Sequence, residues 1–323
     1  MEWFKKIKYV ISAAYKAGIV YDQFTRKDFE SNRLLGEIIR NTHSIEKGLS
    51  LDKVRLGFGY AKIKETISHI ERFEALNGHL DVEQIRMFVD ALSEYIEFHR
   101  SKLYNSPQFD EMSAIQRSFI HKIGLHEGKY GGVLRMEKPI YSDNERGLIE
   151  RIIKDRHSIR AFEKTIVSDV DIKAAIELAM HCPSACNRQS YRVHIIDHRD
   201  FHILEGWLDG VGGFANDLDK MLLITGKISD YRPSEQLQYI VTPAVFAGYL
   251  TITLQVYGIG CCFIQRSLLP NRKFAKLSSK LNVPFDEQPV CILGIGNLKR
   301  EYKVPVSHRL SYNKIVKTFK TGE

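Results

Sequence analysis

The chain has 323 residues, of which 44% are hydrophobic and 27% are charged. These values are typical of one large or two ordinary globular domains and exclude a disordered or collagen-like chain. The formal net charge of +8 favours anionic partners, but no basic block interleaved with aromatic residues occurs, so we expect no nucleic-acid binding.

The N-terminal segment has an amphipathic pattern. As a helix it would place five apolar residues on one face: Trp3, Phe4, Ile7, Ile11 and Ala14. Its lysines lie mostly on the other faces, which would suit an anionic membrane surface. Such helices more often pack on their own protein, so membrane-surface contact is the less favoured interpretation.

Residues 1–140 are predicted to form an all-helical N-terminal domain. Apolar residues recur at helical spacing after Leu34, after Ile63 and after Ile85. Ser106-Pro107 opens a further helix, with proline at its first position. The glycine-rich stretch 124–139 indicates a linker to a second domain, residues 141–323.

Helices and strands alternate in this second domain, which predicts an α+β or α/β fold. Strands are expected at 191–196, 221–225 and 290–295, and helices at about 144–155 and after Ser168. Residues 239–264 carry no charge and are long enough to span a bilayer. Their proline, glycines and glutamine favour a buried helix followed by a buried strand.

Two basic segments could bind an anion. The first places two guanidiniums, an imidazole and a hydroxyl within five residues, at Arg156, His157, Ser158 and Arg160. Guanidinium groups offer paired donors that match phosphate oxygens. The second segment is Ser307-His308-Arg309. The alternative interpretation of the first segment is a solvated basic helix end.

A polar loop precedes the first predicted strand. It runs from Pro183 to Gln189 and contains Ser184 and Asn187. Its amides can both donate and accept, as a heteroaromatic ring with N–H and C=O groups requires. An ordinary helix-to-strand loop is the alternative. A glycine-broken turn at 258–265 follows the charge-free helix.

Taken in order, these segments resemble the FMN-dependent nitroreductase superfamily over residues 145–317. The resemblance implies an α+β fold with a mixed central sheet flanked by helices. It also implies an interlocked homodimer with FMN at the subunit interface. The N-terminal helices lie outside the ordinary short enzymes and look like extended members associated with polysaccharide biosynthesis. Ser307 departs from the family, which often has a basic residue there.

The resemblance also implies roles for individual residues. In the family, the arginine segments hold the phosphate and ribityl chain, and the polar loop and the segment after Gly-Ile-Gly contact the flavin. The cofactor-binding residues carried over are Arg156, His157, Ser158, Arg160, Pro183, Ser184, Asn187, Gln189, Ile264, Gln265 and Arg309.

A polar face in the helical half offers catalytic candidates. His43, Glu46 and Lys47 have i, i+3 and i+4 spacing and share one side of a helix. The functional interpretation is that this face covers the flavin pocket and supplies a polar or proton-donating group. The alternative is a pair that fixes a helix end against the other domain.

The combined prediction is a cytoplasmic FMN-dependent oxidoreductase. NAD(P)H would enter the flavin pocket transiently as hydride donor, because no dinucleotide-binding fingerprint is present. The acceptor would be a small molecule or a glycan-pathway intermediate. The alternative is a non-catalytic flavin-binding or scaffold protein in envelope polysaccharide assembly.

The cysteines and the N terminus support the predicted compartment. Five cysteines without a Cys-x-x-Cys pair indicate free thiols in a reducing environment. Lysines interrupt the first apolar stretch, which therefore does not match a signal peptide. His181, Cys182 and Cys186 lack an evident fourth ligand, so we expect no metal site.

Overall fold

Two hydrophobic cores follow each other along the chain in the computed structural model. The structure describes residues 2–80, 82–124, 128–204, 208, 210–235, 237–264 and 278–319. The first core lies among helices of the N-terminal half, and the second is built around a sheet in the C-terminal half. The expected division at residue 140 falls in an exposed stretch between these cores and stays a prediction.

Helices make up the described regular structure of the N-terminal half, as its periodicity predicted. They are α1 (Glu2–Thr25), α2 (Glu30–Leu49), α3 (Tyr60–Asn77), α4 (Glu83–Ser101) and α5 (Pro107–Ile123). The recurring isoleucines and aromatic residues of α2 to α5 point inward and form one core. The Ser106 hydroxyl accepts from the Phe109 N–H, which caps α5 as expected.

Helix α1 differs from the favoured expectation that it packs on its own protein. Its buried side chains are Gln23 and Phe24 at the C-terminal end, whereas most of residues 3–15 are exposed. Phe24 packs with Tyr239, and the Gln23 amide donates to the Phe285 carbonyl. Only the last turns of α1 are therefore anchored to the rest of the chain.

A four-stranded sheet forms the centre of the C-terminal half. Its strands are β1 (Tyr191–Asp197), β2 (Lys220–Lys227), β3 (Ile259–Ile264) and β4 (Glu287–Asn297). The order is β1-β2-β4-β3, and all neighbours pair antiparallel. A parallel bridge joins Ser158, which lies outside the named strands, to Cys261 of β3. The described sheet is therefore mixed only at that edge.

Helices flank the sheet and complete the predicted α+β class. They are α6 (Asp143–Asp155), α7 (Asp169–Ala179) and α8 (Gln238–Val256). Helix α8 packs against α7 and the strands. By length and composition, α8 is the one helix among the described residues that could cross a membrane, and half of it is buried inside the protein. This burial agrees with the predicted core helix.

The two halves meet along α2. The backbone of Gly36 lies so close to Asp230 that an added Cβ would stand 2.6 Å from the Asp230 carbonyl oxygen. Arg232 donates from Nε to Glu37 at 2.7 Å, and Asn32 donates to Asp286 at 3.1 Å. Helix α2 therefore fixes the helical half against the sheet-containing half.

We expect Gly36→Ala to destabilise the protein by about 1–3 kcal/mol, because the new methyl group must displace backbone atoms of Asp230. Denaturant unfolding followed by circular dichroism measures the change. Gly18→Ala is the matched control in α1, since nothing lies within 4 Å of its added Cβ. Alanine favours helix, so the control should be neutral or slightly stabilising. Equal effects at both positions would contradict the close contact.

Candidate functional site

The predicted phosphate-binding segments converge in one cavity. Its volume is about 200 Å³, and we call it the arginine cavity. The two segments are separated by almost 150 positions in sequence but face the same space. The lining residues are Arg156, His157, Ser158, Arg160, Pro305, Ser307 and Arg309.

Backbone pairing with the edge of the sheet positions the first of these segments. Helix α6 ends at Asp155, and the chain becomes extended at Arg156. The Ile159 N–H then donates to the Cys261 carbonyl at 2.9 Å. Ile159 is buried and Arg160 is exposed, as alternation along an extended segment requires. The sheet edge thus holds the basic side chains beside the cavity.

The guanidinium groups of the arginine cavity lack acidic partners. Among the described residues, no Asp or Glu oxygen lies within 4 Å of Arg156, Arg160 or Arg309. Arg160 and Arg309 donate instead to backbone carbonyls, those of Ser158 at 3.4 Å and Ser307 at 2.6 Å. Three guanidiniums without an acidic partner in the described part of the chain surround one small cavity, an arrangement that would suit an anion with more than one negative charge.

Two thiols lie beside the cavity and are poor nucleophiles. Burial raises the pKa of Cys261 to about 12, against the opposing effect of Arg156. Burial also raises the pKa of Cys262, opposed by Arg160 and Ser158. Both thiols therefore stay protonated at neutral pH, and they act as small packing groups rather than reactive ones.

The loop that we call the amide loop, residues 183–189, has an unusual backbone. Cys186, Asn187 and Gln189 all have positive φ, between 48° and 56°. The Ser184 hydroxyl accepts from the Gln189 N–H at 3.2 Å and closes the turn. Non-glycine residues adopt this region at an energetic cost, and such strain often accompanies functional loops.

A buried arginine, which was not predicted from the sequence, anchors the amide loop. The Arg188 side chain is fully buried, and its Nη2 donates to the two Glu235 oxygens at 2.9 and 3.1 Å. Its guanidinium lies 4.7 Å from the centre of the Tyr231 ring. The Nε and Nη1 atoms have no hydrogen-bond partner in the described part of the chain. A lone arginine in a polar loop gives no sequence signal of such burial.

The structure does not bring the amide loop and the arginine cavity together within one chain. The amide loop leads into β1, whereas Ser158 bridges to β3 at the opposite edge. With strands about 4.8 Å apart, Tyr191 and Ser158 are separated by about 19 Å across the sheet. The register places Tyr191 level with Gln288 and Cys261 level with Ile295, which adds about 23 Å along the strands.

The other predicted site residues lie elsewhere. Ile264 is 5% exposed, belongs to the core and packs near Gly294. Gln265 lies outside the described residues. The structure thus gives Ile264 a packing role on this chain, and it does not line the arginine cavity.

The catalytic candidates are on α2, which packs against residues 185–187 of the amide loop. The His43 Nδ1 lies 3.3 Å from one Glu46 oxygen, and the other oxygen accepts from the Gly132 N–H at 3.1 Å. Lys47 is exposed. These contacts tie the end of α2 to the linker, and a catalytic role for the three residues stays a prediction.

No group of three or more metal-ligating side chains occurs among the residues that the structure places. Cys182 and Cys186, which were weighed as ligands with His181, are free thiols.

We expect Glu235→Ala to lower the free energy of unfolding by about 3 kcal/mol, because it leaves the buried Arg188 guanidinium without its counter-charge. Chemical denaturation monitored by tyrosine and tryptophan fluorescence measures the loss. Glu150→Ala is the control, since Glu150 pairs with Lys154 on the surface and should change stability by less than about 0.5 kcal/mol. A loss of the same small size at Glu235 would show that Arg188 is solvated.

Comparison with known proteins identifies part of the C-terminal half. A family model described as the nitroreductase family matches residues 153–237. No curated protein matches the chain.

Solved structures are also similar, and each covers about half of this chain. A nitroreductase-like protein from Streptococcus mutans is 17% identical, covers 54% of this chain and 99% of its own, and has a TM-score of 0.46. An FMN-dependent nitroreductase from Clostridium difficile R20291 is 21% identical, with coverages of 51% and 96% and a TM-score of 0.42. The segment that matches the family model includes Arg156 to Arg160 and the whole amide loop.

Proposed function

We propose that the protein is an FMN-dependent oxidoreductase that moves hydride between NAD(P)H and a small-molecule acceptor. The observation that supports this most is the arginine cavity of about 200 Å³, whose three guanidiniums have no acidic partner among the residues that the structure describes. The segment that matches the nitroreductase family model, residues 153–237, supplies four of the residues that line the cavity. The neighbour from Clostridium difficile, described as FMN-dependent, agrees with this choice of cofactor.

The residues of the arginine cavity fit the phosphate end of FMN. A phosphate monoester carries up to two negative charges, and Arg156, Arg160 and Arg309 would compensate them with paired N–H donors. The Ser158 hydroxyl is a further donor. The His157 Nδ1 lies 2.9 Å from the Asp155 carbonyl, which would fix the orientation of its ring.

The amide loop would serve the ring system. The amides of Asn187 and Gln189 offer both donors and acceptors for the polar edge of a flavin. Donors at that edge would favour the uptake of negative charge by the ring. When bound, the flavin would supply the centre that accepts and donates hydride. The chain itself would bind, orient and shield that group.

Two copies of the chain would be needed to complete this site. One chain holds its amide loop and its arginine cavity at opposite edges of the sheet, so a single cofactor that contacts both would lie between subunits. Exposed apolar side chains support such a homodimer. They occur in the segments before α6 and after β4, where Ile140 is 91% exposed and Val306 is 90% exposed.

The natural acceptor and compartment remain part of the proposal. Five free cysteines agree with a reducing cytoplasm. A glycan-pathway acceptor rests on the resemblance of the helical half to extended family members. The alternative, a flavin-binding scaffold in envelope polysaccharide assembly, is motivated by Ser307 at a position that is often basic in the family. Steady-state turnover with NADH or NADPH and a quinone or nitroaromatic acceptor separates the two, since a scaffold would bind FMN without turnover.

We expect Arg156→Ala to weaken FMN binding by about 10- to 100-fold, which corresponds to the loss of one charge-assisted contact. The measurement is flavin absorbance of the purified protein together with titration of FMN into the apoprotein. Arg151→Ala is the matched control, because Arg151 is exposed on α6 and does not line the cavity. Equal FMN affinity of both variants would contradict the phosphate assignment.

We expect mixed dimers to restore a site that each of two single variants lacks. Arg156→Ala and Asn187→Gly damage the two halves of the proposed shared site, and glycine tolerates the positive φ at position 187. A mixed dimer would contain one site with both changes and one site with neither. Differently tagged chains can be co-expressed, isolated as mixed dimers and titrated with FMN. Absence of any high-affinity site in the mixed dimer would contradict the shared arrangement.

A further inference from the structure

We propose that helix α1 lies on the surface of an anionic lipid bilayer and holds the protein there. The contact would be made by its apolar face, which we call the outer stripe. It consists of Trp3, Phe4, Ile7, Val10, Ile11 and Ala14. The proposal concerns a partner of the helical half and does not depend on flavin chemistry.

The outer stripe points away from the rest of the chain. At 3.6 residues per turn, the anchoring side chains Val20 and Gln23 lie about 135° and 165° from the centre of the outer stripe, and Phe24 lies about 95° from it. The bond from Gln23 to Phe285 and the packing of Phe24 on Tyr239 fix this orientation. Residues 3–15 are exposed around the whole helix, except that Ile7 is half-buried, so the outer stripe is open to a partner.

The outer stripe exposes several large apolar side chains next to one another, which differs from the single exposed apolar residues common on protein surfaces. Trp3 is 65% exposed, Phe4 71%, Val10 62% and Ile11 64%. A contiguous row of large apolar side chains on a soluble surface marks an interaction site. The ring centres of Trp3 and Phe4 lie 5.2 Å apart, so the two rings form one apolar end to the row.

The charges on α1 favour lipid over a second copy of the chain. Residues 3–19 contain Lys5, Lys6, Lys8 and Lys16, and the two acidic residues of α1 lie outside this range, near the ends of the helix. Two such helices packed face to face would bring like charges together, whereas anionic headgroups would compensate them. A basic helix with aromatic and aliphatic residues on the other face is the pattern of helices that lie within a membrane interface.

The lysines and the outer stripe make separate contributions to the expected affinity. Each lysine near an anionic surface strengthens binding by about fivefold. We therefore expect replacement of Lys5, Lys6 and Lys8 by glutamine to weaken binding by about 100-fold. Phe4→Gln with Ile11→Gln should weaken it at least tenfold, since buried apolar area provides the remaining attraction.

Co-sedimentation of the full-length protein with vesicles tests the proposal. Phosphatidylcholine vesicles are compared with vesicles that also contain phosphatidylglycerol, at low and at high salt. The wild type should bind the vesicles that contain phosphatidylglycerol at low salt and dissociate from them at high salt. It should not bind vesicles of phosphatidylcholine alone. Its tryptophan emission should shift to the blue on binding, and Trp3→Phe should remove that shift.

A matched double variant controls for changes in helix propensity. Tyr9→Gln with Ser12→Gln alters exposed positions outside the outer stripe and should bind like the wild type. Binding that survives loss of Phe4 and Ile11, or absence of binding to the mixed vesicles, would overturn the proposal. If the Phe4 and Ile11 variant instead changes the oligomeric state in light scattering without any vesicle binding, the outer stripe is an interface between copies and the proposal fails.

Discussion

The order of the four strands governs what one chain can do. Because β2 and β4 lie between β1 and β3, the amide loop and the arginine cavity are kept at opposite edges of a rigid sheet. Antiparallel ladders on each side fix the register, so neither segment can shift toward the other without breaking backbone hydrogen bonds. A ligand that uses both segments would therefore bridge two chains, and binding of the proposed cofactor would then depend on assembly.

The buried Arg188 and the arginines of the cavity differ in whether an acidic side chain compensates their charge. Arg188 is buried and is compensated by Glu235 within the same chain, so its charge is used to hold the amide loop. Arg156, Arg160 and Arg309 have no acidic partner in the described part of the chain, so their charge is available to a ligand. Uncompensated cations repel one another, and a cluster that persists despite this repulsion gains most from binding a dianion.

Local sequence patterns predicted helices and strands well, because secondary structure depends on interactions between residues that are close in sequence. The isoleucine periodicity gave α2 and α3, Ser106-Pro107 gave the start of α5, and the apolar run at 290–295 gave β4. The convergence of Arg309 with Arg156 was expected only from the family resemblance. Spacing alone carries no information about contacts between residues so far apart in sequence, and the same limit hid the strand order and the contact between Gly36 and Asp230.

Burial was harder to predict than secondary structure. One arginine is buried without any signal in the sequence, and one helix is more exposed than expected. The sequence gives no signal that Arg188 lies in the interior, where Glu235 and the Tyr231 ring provide a compensated environment. Helix α1 was expected to pack on its own protein, yet only its C-terminal end does so, through Val20, Gln23 and Phe24. An amphipathic pattern identifies which face is apolar, but only the tertiary contacts decide whether that face turns inward.

The exposed apolar surfaces of this chain differ in their charge, and that difference assigns them to different partners. Helix α6, with Leu148, Ile149 and Ile153 exposed, carries both acidic and basic residues and is suited to another protein surface. The outer stripe of α1 is accompanied by four lysines, and the acidic residues of this helix, Glu2 and Asp22, lie near its two ends. A dimer formed through the α6 region would present two such helices, and two weak membrane contacts on one particle bind far more tightly than either does alone. Assembly and membrane attachment would then reinforce each other through separate parts of the chain.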